Sequence, residues 1–115
     1  IYKTEVYELA AFLNREGERV PAHTISKEPS AELYIDQKDT DSLPEYAVLD
    51  PILRSLIEEG KTEEELVRSG IDARLLSGII LKMQRSGFKT HQVPPLLAVT
   101  DHPLLPHNKC LRYNL

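Results

Sequence analysis

Residues 45–87 read EYAVLDPILRSLIEEGKTEEELVRSGIDARLLSGIILKMQRSG, and this stretch decides the fold class. Its apolar residues recur at helical spacing. Tyr46, Leu49, Ile52, Leu53, Leu56 and Ile57 share one face, and Gly60 ends the run. Asp50-Pro51 reads as an N-cap followed by proline at the first helical position. Thr62-Glu63-Glu64-Glu65 has the form of a capping box, in which hydroxyl and carboxylate each accept a backbone N–H of the other's residue. It opens a short helix closed by Gly70. Asp72 caps a further helix with Leu75, Leu76, Ile79, Ile80 and Met83 inward, and Gly87 is its stop. A helical segment over 45–87 is therefore expected.

Outward from this segment the pattern changes. Residues 27–44 hold Pro29, Pro44 and the polar run Asp36-Gln37-Lys38-Asp39-Thr40-Asp41-Ser42. They read as a loop, and a loop this long in a small domain is usually a lid, a binding loop or disordered. Residues 20–26, Val-Pro-Ala-His-Thr-Ile-Ser, are partly β-branched and read as a strand or extended segment, with Pro21 placing it at a sheet edge or restricting pairing to its far half. Residues 1–15 read as an amphipathic helix that buries Tyr2, Val6, Leu9, Ala10 and Leu13, with Asn14 and Gly17 as stop residues. Residues 88–115 carry Pro94, Pro95, Pro103 and Pro106 and read as an irregular tail. The chain opens on Ile1 inside a helical pattern, and is read as a piece of a longer protein. The expected fold is a helix-rich α/β fragment.

Composition bounds the function. The 115 residues are 41% hydrophobic and 28% charged, which fits a globular domain. Lys and Arg number 14 against 18 Asp and Glu, a net charge of -4 that argues against general nucleic-acid binding. No apolar run has membrane-spanning length. The expectation is no membrane association and a cytoplasmic location. Cys110 is the single cysteine, which excludes an internal disulfide and a cysteine-based zinc site.

Candidate chemistry is sparse. Lys27 follows the expected strand end, where an ammonium can reach a ligand phosphate as a point charge; spacing alone favours a solvated surface lysine, since lysine is mostly exposed. Asp36, Asp39 and Asp41 lack the Gly and Glu positions of an EF-hand loop and read as a hydrophilic loop. His23, His91, His102 and His107 form no metal-ligand pattern. Lys82, Arg85, Lys89 and His91 make the most basic local region, which suits an anionic ligand or simple complementarity to a helix C-terminus. Residues 62–80 have a helix-turn-helix outline, with few basic side chains to face DNA. No nucleophile–base set and no phosphate-cradling glycine loop is present.

Several blocks together carry a resemblance. Tyr2-Lys3-Thr4-Glu5-Val6-Tyr7-Glu8-Leu9-Ala10, Ser26-Lys27-Glu28-Pro29-Ser30-Ala31-Glu32-Leu33, Asp36-Gln37-Lys38-Asp39-Thr40-Asp41-Ser42-Leu43-Pro44, Tyr46-Ala47-Val48-Leu49-Asp50 and Phe88-Lys89-Thr90-His91-Gln92-Val93-Pro94-Pro95 follow one another in order. They resemble motifs of the glutamine-dependent NAD synthetases. The chain departs from the motifs at Thr40, where a Glu is usual, and at Thr90 and His91, which stand for two arginines. Its tail lacks the family's Arg-x-Phe-Gly.

The resemblance implies the C-terminal portion of a Rossmann-like, adenine nucleotide α-hydrolase-like domain. It implies 1–26 as a last helix–strand unit, 27–44 as a substrate-covering loop, 45–87 as a helical segment and 88–115 as a tail. The implied reaction is ATP-dependent amidation of deamido-NAD to NAD through an adenylate. Lys27 would contact ATP and Lys89 deamido-NAD, while Glu32, Gln37, Asp39 and Asp41 would belong to the cover. The phosphate-binding loop and the Mg2+ ligands would precede Ile1, so the chain alone would be inactive. The implied partners are the rest of the synthetase domain, a glutamine amidotransferase domain that makes ammonia, and further copies in a homo-oligomer. A non-catalytic helical interaction module and, more weakly, a helix-turn-helix DNA binder are the alternatives from other classes.

Overall fold

In the computed structural model, which describes residues 1–92, 96–97, 99–102 and 110–111, five α-helices dominate. They are α1 (Lys3–Leu13), α2 (Ala22–Ser26), α3 (Tyr46–Ile57), α4 (Glu63–Arg68) and α5 (Ala73–Ser86). Short 3-10 turns cover Asn14–Glu16, Asp39–Asp41 and Gly87–His91. The strands β1 (Leu96–Leu97) and β2 (Cys110–Leu111) pair in parallel, Leu96 opposite Cys110 and Leu97 opposite Leu111. The chain divides into two compact units, Ile1–Asp50 and Pro51–Leu115.

In the second unit the core forms where the spacing placed it. Leu66 of α4 and Leu76 and Ile79 of α5 are buried, and Leu76 is fully enclosed. The Thr62 hydroxyl accepts the Glu65 N–H at 3.3 Å and the Glu65 carboxylate accepts the Thr62 N–H at 2.8 Å, so the capping box is closed. Gly70 adopts φ +101°, and Ile71 N–H reaches the Leu66 carbonyl at 3.2 Å. This six-to-one bond at a left-handed glycine satisfies a carbonyl that the helix end would otherwise leave open. Asp72 caps α5 by accepting the Leu75 N–H at 2.8 Å.

Three local readings are corrected. Asp50-Pro51 does not start a helix. The backbone N–H groups of Val48 and Leu49 both donate to the Glu45 carbonyl at 2.9 Å, so α3 begins earlier and carries Pro51 inside it. Proline lacks the N–H that would serve the Ala47 carbonyl, and the buried Leu49 and Ile52 on one face of α3 offset that loss. Residues 22–26 form α2 rather than a strand. Pro21 precedes the helix, and the Glu18 carboxylate accepts the Ala22 N–H at 2.8 Å, a cap four residues away in sequence. The β-branched Thr24 and Ile25 suggested extension, but the capped first turn overrides so weak a preference. Finally, α1 forms as expected but buries none of its residues, and Val6, Leu9 and Leu13 are exposed.

Candidate functional site

In the first unit the segment 27–44 is tied to itself and to its neighbours by polar contacts. Lys27 Nζ donates to Glu32 Oε1 at 2.6 Å, and Lys38 Nζ pairs with Glu28 Oε2 at 2.5 Å. Glu32 N–H donates to the Ser30 hydroxyl at 3.0 Å, and Leu33 N–H to Gln37 Oε1 at 2.8 Å. Asp41 Oδ2 accepts the Lys38 N–H at 2.9 Å and the Tyr34 hydroxyl at 3.4 Å. Asp39 closes the loop at its base, because its N–H donates to the Pro29 carbonyl at 2.9 Å. Its Oδ2 accepts the Tyr46 hydroxyl of α3 at 2.6 Å.

These contacts shape the electrostatics. The hydrogen bond and charge of Lys27 hold the Glu32 carboxyl below the usual carboxylate range. The hydrogen bond and charge of Glu28 push the Lys38 ammonium up. Burial, and then the bond to Asp39, push the Tyr46 phenol up to about 12. Glu32 and Asp36 adopt φ +53° and +58°, left-handed conformations that a side chain disfavours.

Two open clefts flank this network. One, of about 250 Å3, is bordered by Lys3, Thr24, Lys27, Pro29, Glu32 and Asp39. The other, of about 560 Å3, is bordered by Lys27, Glu28, Glu32, Tyr34, Gln37 and Lys38. Lys27 and Glu32 border both, so their ion pair stands on the shared wall.

Of the residues singled out from sequence, Lys27, Glu32 and Asp39 come together around the smaller cleft, and Gln37 borders the larger. Asp41 bonds within the loop. Lys89 lies in the other unit, exposed on the 3-10 turn Gly87–His91. The side chains of Thr90, His91 and Cys110, with His107 and the Pro94-Pro95 pair, fall outside the described residues. Among the described residues no three His, Cys, Asp or Glu side chains gather to hold a metal ion. Among them, too, no helix is long and apolar enough to cross a membrane.

The NAD synthase family model matches residues 1–93. The chain belongs to this family. Among its relatives, the glutamine-dependent NAD(+) synthetase of Synechocystis is 44% identical over 99 residues, which are 86% of this chain and 18% of that protein. The Aquifex aeolicus glutamine-dependent NAD(+) synthetase is 38% identical over 94 residues, 82% of this chain and 17% of that one. The solved glutamine-dependent NAD+ synthetase of Acinetobacter baumannii, in complex with ADP, superposes with a TM-score of 0.51 at 28% identity. That match covers 90% of this chain and 17% of the other. The chain thus spans less than a fifth of these NAD synthetases.

Four residues of this family member acquire roles that the sequence reading missed. Asp50 is buried, and its Oδ2 accepts the Thr4 N–H at 2.7 Å. It is a helix cap, as its residue type suggested, but for α1, 46 residues earlier in sequence. Asn14 does more than stop α1. Its Oδ1 accepts the Arg19 and Val20 N–H groups, and its Nδ2 donates to the Val20 carbonyl at 2.8 Å. Tyr46 lies half-buried on the apolar face of α3 and also holds Asp39 through its hydroxyl. Lys3 brings a second ammonium to the smaller cleft, 5.4 Å from the centre of the Tyr7 ring.

Proposed function

We propose that this chain forms the C-terminal part of the synthetase domain of a glutamine-dependent NAD synthetase. The family match over residues 1–93, with Lys27 on the wall of an open cleft, carries the reading. The same reading assigns a Rossmann-like sheet, the phosphate-binding loop and the amidase domain to parts of the parent outside these residues. Oligomeric assembly and a cytoplasmic setting belong to the same reading.

In the proposed reaction a carboxylate oxygen of deamido-NAD attacks the α-phosphorus of ATP and pyrophosphate departs. Ammonia then attacks the acyl carbon, AMP leaves with the carboxyl oxygen, and NAD remains. A carboxylate is a poor acyl donor, and adenylation gives it a good leaving group. Lys27 contributes a fixed positive charge toward the phosphates and stabilises the charge that builds on departing pyrophosphate. Lys89 provides an ammonium for deamido-NAD. The segment 27–44 covers the substrates and limits water.

The test is complementation. A Synechocystis synthetase lacking its matching segment is mixed with this chain, deamido-NAD, Mg-ATP and ammonium, and NAD is assayed. The chain alone is expected to give no turnover and the mixture to give NAD. A chain carrying Lys27→Met is expected to restore less. Turnover by the isolated chain, or equal restoration by Lys27→Met, overturns the assignment.

The acidic first turn of α4, Glu63 to Glu65, argues against the helix-turn-helix alternative, since it would face phosphates with like charge.

A further inference from the structure

Lys27, the ammonium assigned above to an anionic ligand, already has an anion. Glu32 Oε1 lies 2.6 Å from its Nζ, both side chains about two-thirds exposed. The pair stands between the two clefts, so any phosphate drawn to Lys27 meets the Glu32 carboxylate first. A second observation concerns Glu32 itself. Its backbone is left-handed at φ +53°, a conformation that favours glycine, and its N–H is held by the Ser30 hydroxyl. The residue is therefore kept in a disfavoured geometry while its carboxylate sits on Lys27.

We propose that Glu32 is an internal stand-in for the ligand's phosphate, an autoinhibitory contact that occupies Lys27 until an anion displaces it. The proposal rests on the assignment of Lys27 above. Exchange swaps one ion pair for another. Glu32 is then free to leave its left-handed conformation and swing out of the cleft. The other charges nearby set the bias. Lys38 is engaged by Glu28, Asp39 by Tyr46, and Lys3 borders the smaller cleft, so Glu32 is the carboxylate in direct contact with Lys27. Exposed ion pairs are weak, which keeps the contact displaceable. It also selects for polyanions, because a single weak charge gains little by replacing a tethered carboxylate.

The experiment titrates inorganic tripolyphosphate into the full chain at low ionic strength by calorimetry. Four proteins are compared, namely wild type, Glu32→Gln, Lys27→Met and Glu16→Gln. The last removes the same charge from another exposed ion pair of the unit, Glu16 with Arg19 at 3.9 Å. Glu32→Gln is expected to bind about two- to fivefold more tightly than wild type, the range of an exposed ion pair. Glu16→Gln is expected to match wild type and Lys27→Met to lose binding. If Lys27→Met weakens binding but Glu32→Gln does not strengthen it, the stand-in is wrong and the Lys27 assignment survives. If Lys27→Met binds like wild type, or if no protein binds, the Lys27 assignment fails and the stand-in with it. Equal gains from Glu32→Gln and Glu16→Gln would show an effect of net charge alone and overturn the proposal. All three substituted side chains are exposed, so the fold is not at stake.

Discussion

The segment 27–44 and the helices α4 and α5 are held by different physics. Between α4 and α5 the organising atoms are carbon, with Leu66, Leu76 and Ile79 withdrawn from water. In 27–44 most residues are exposed and none is buried, and the organising contacts are ion pairs, side chain–backbone bonds and two phenol–carboxylate bonds. Burial is strong and indifferent to pH and salt. Exposed polar contacts are weak, and both pH and salt tune them. The difference teaches where each job can be done. A helical pair that persists is built from apolar area, and a segment whose contacts can be exchanged is built from contacts that cost little to break.

Substitutions can break or sharpen this contrast. Leu76→Ala should have the largest effect, because it leaves a cavity at a fully enclosed site, and a loss of about 2–5 kcal/mol is expected in urea unfolding. A loss below about 1 kcal/mol would mean that the α4–α5 contact is not a packed core. Asp50→Ala should follow, at about 1–3 kcal/mol, since it strips the buried cap from the Thr4 N–H. Its signature is faster hydrogen exchange at Thr4 and its neighbours, with α5 protected as before. Thr62→Ala opens the capping box and should cost about 1 kcal/mol, read as a lower urea midpoint.

Two smaller effects belong to the polar segment. The Tyr46 phenol has its ordinary value of 10 in the unfolded chain and about 12 in the fold. Its contribution is therefore complete below pH 10 and is lost as the pH rises from about 10 toward about 12. Tyr46→Phe should flatten the fall in urea midpoint between about pH 10 and about pH 12. An unchanged slope would show that neither the burial of the phenol nor its bond to Asp39 persists in solution. Smallest of all, Lys38→Ala should leave the urea midpoint unmoved within error, because its pair with Glu28 is exposed. A clear loss would mean that 27–44 is held more firmly than its contacts allow.

Legibility followed the range of the interactions. The capping box at Thr62, the Asp72 cap and the Leu75–Met83 spacing are local signals, and the helices they announce are present. The same local rules misread Asp50, where an acidic residue before proline looks like a cap for its own helix and instead serves α1. They misread 22–26 as well, because the deciding carboxylate, Glu18, lies outside the β-branched run. For the site, motif resemblance singled out Lys27, Glu32 and Asp39. It did not show that Lys27 and Glu32 neutralise each other, or that Tyr46 holds Asp39.

By itself the sequence determined a helix-rich chain, the family to which it belongs, and the residue types gathered in 27–44. Periodicity, caps and motif order act over a few residues and survive without a partner. Only the tertiary structure decided which helix Asp50 caps, which carboxylate Lys27 meets, and that α1 keeps Val6, Leu9, Phe12 and Leu13 exposed. The partner of Asp50 is brought near by folding rather than by the chain's own spacing, and a side chain's residue type does not name its partner.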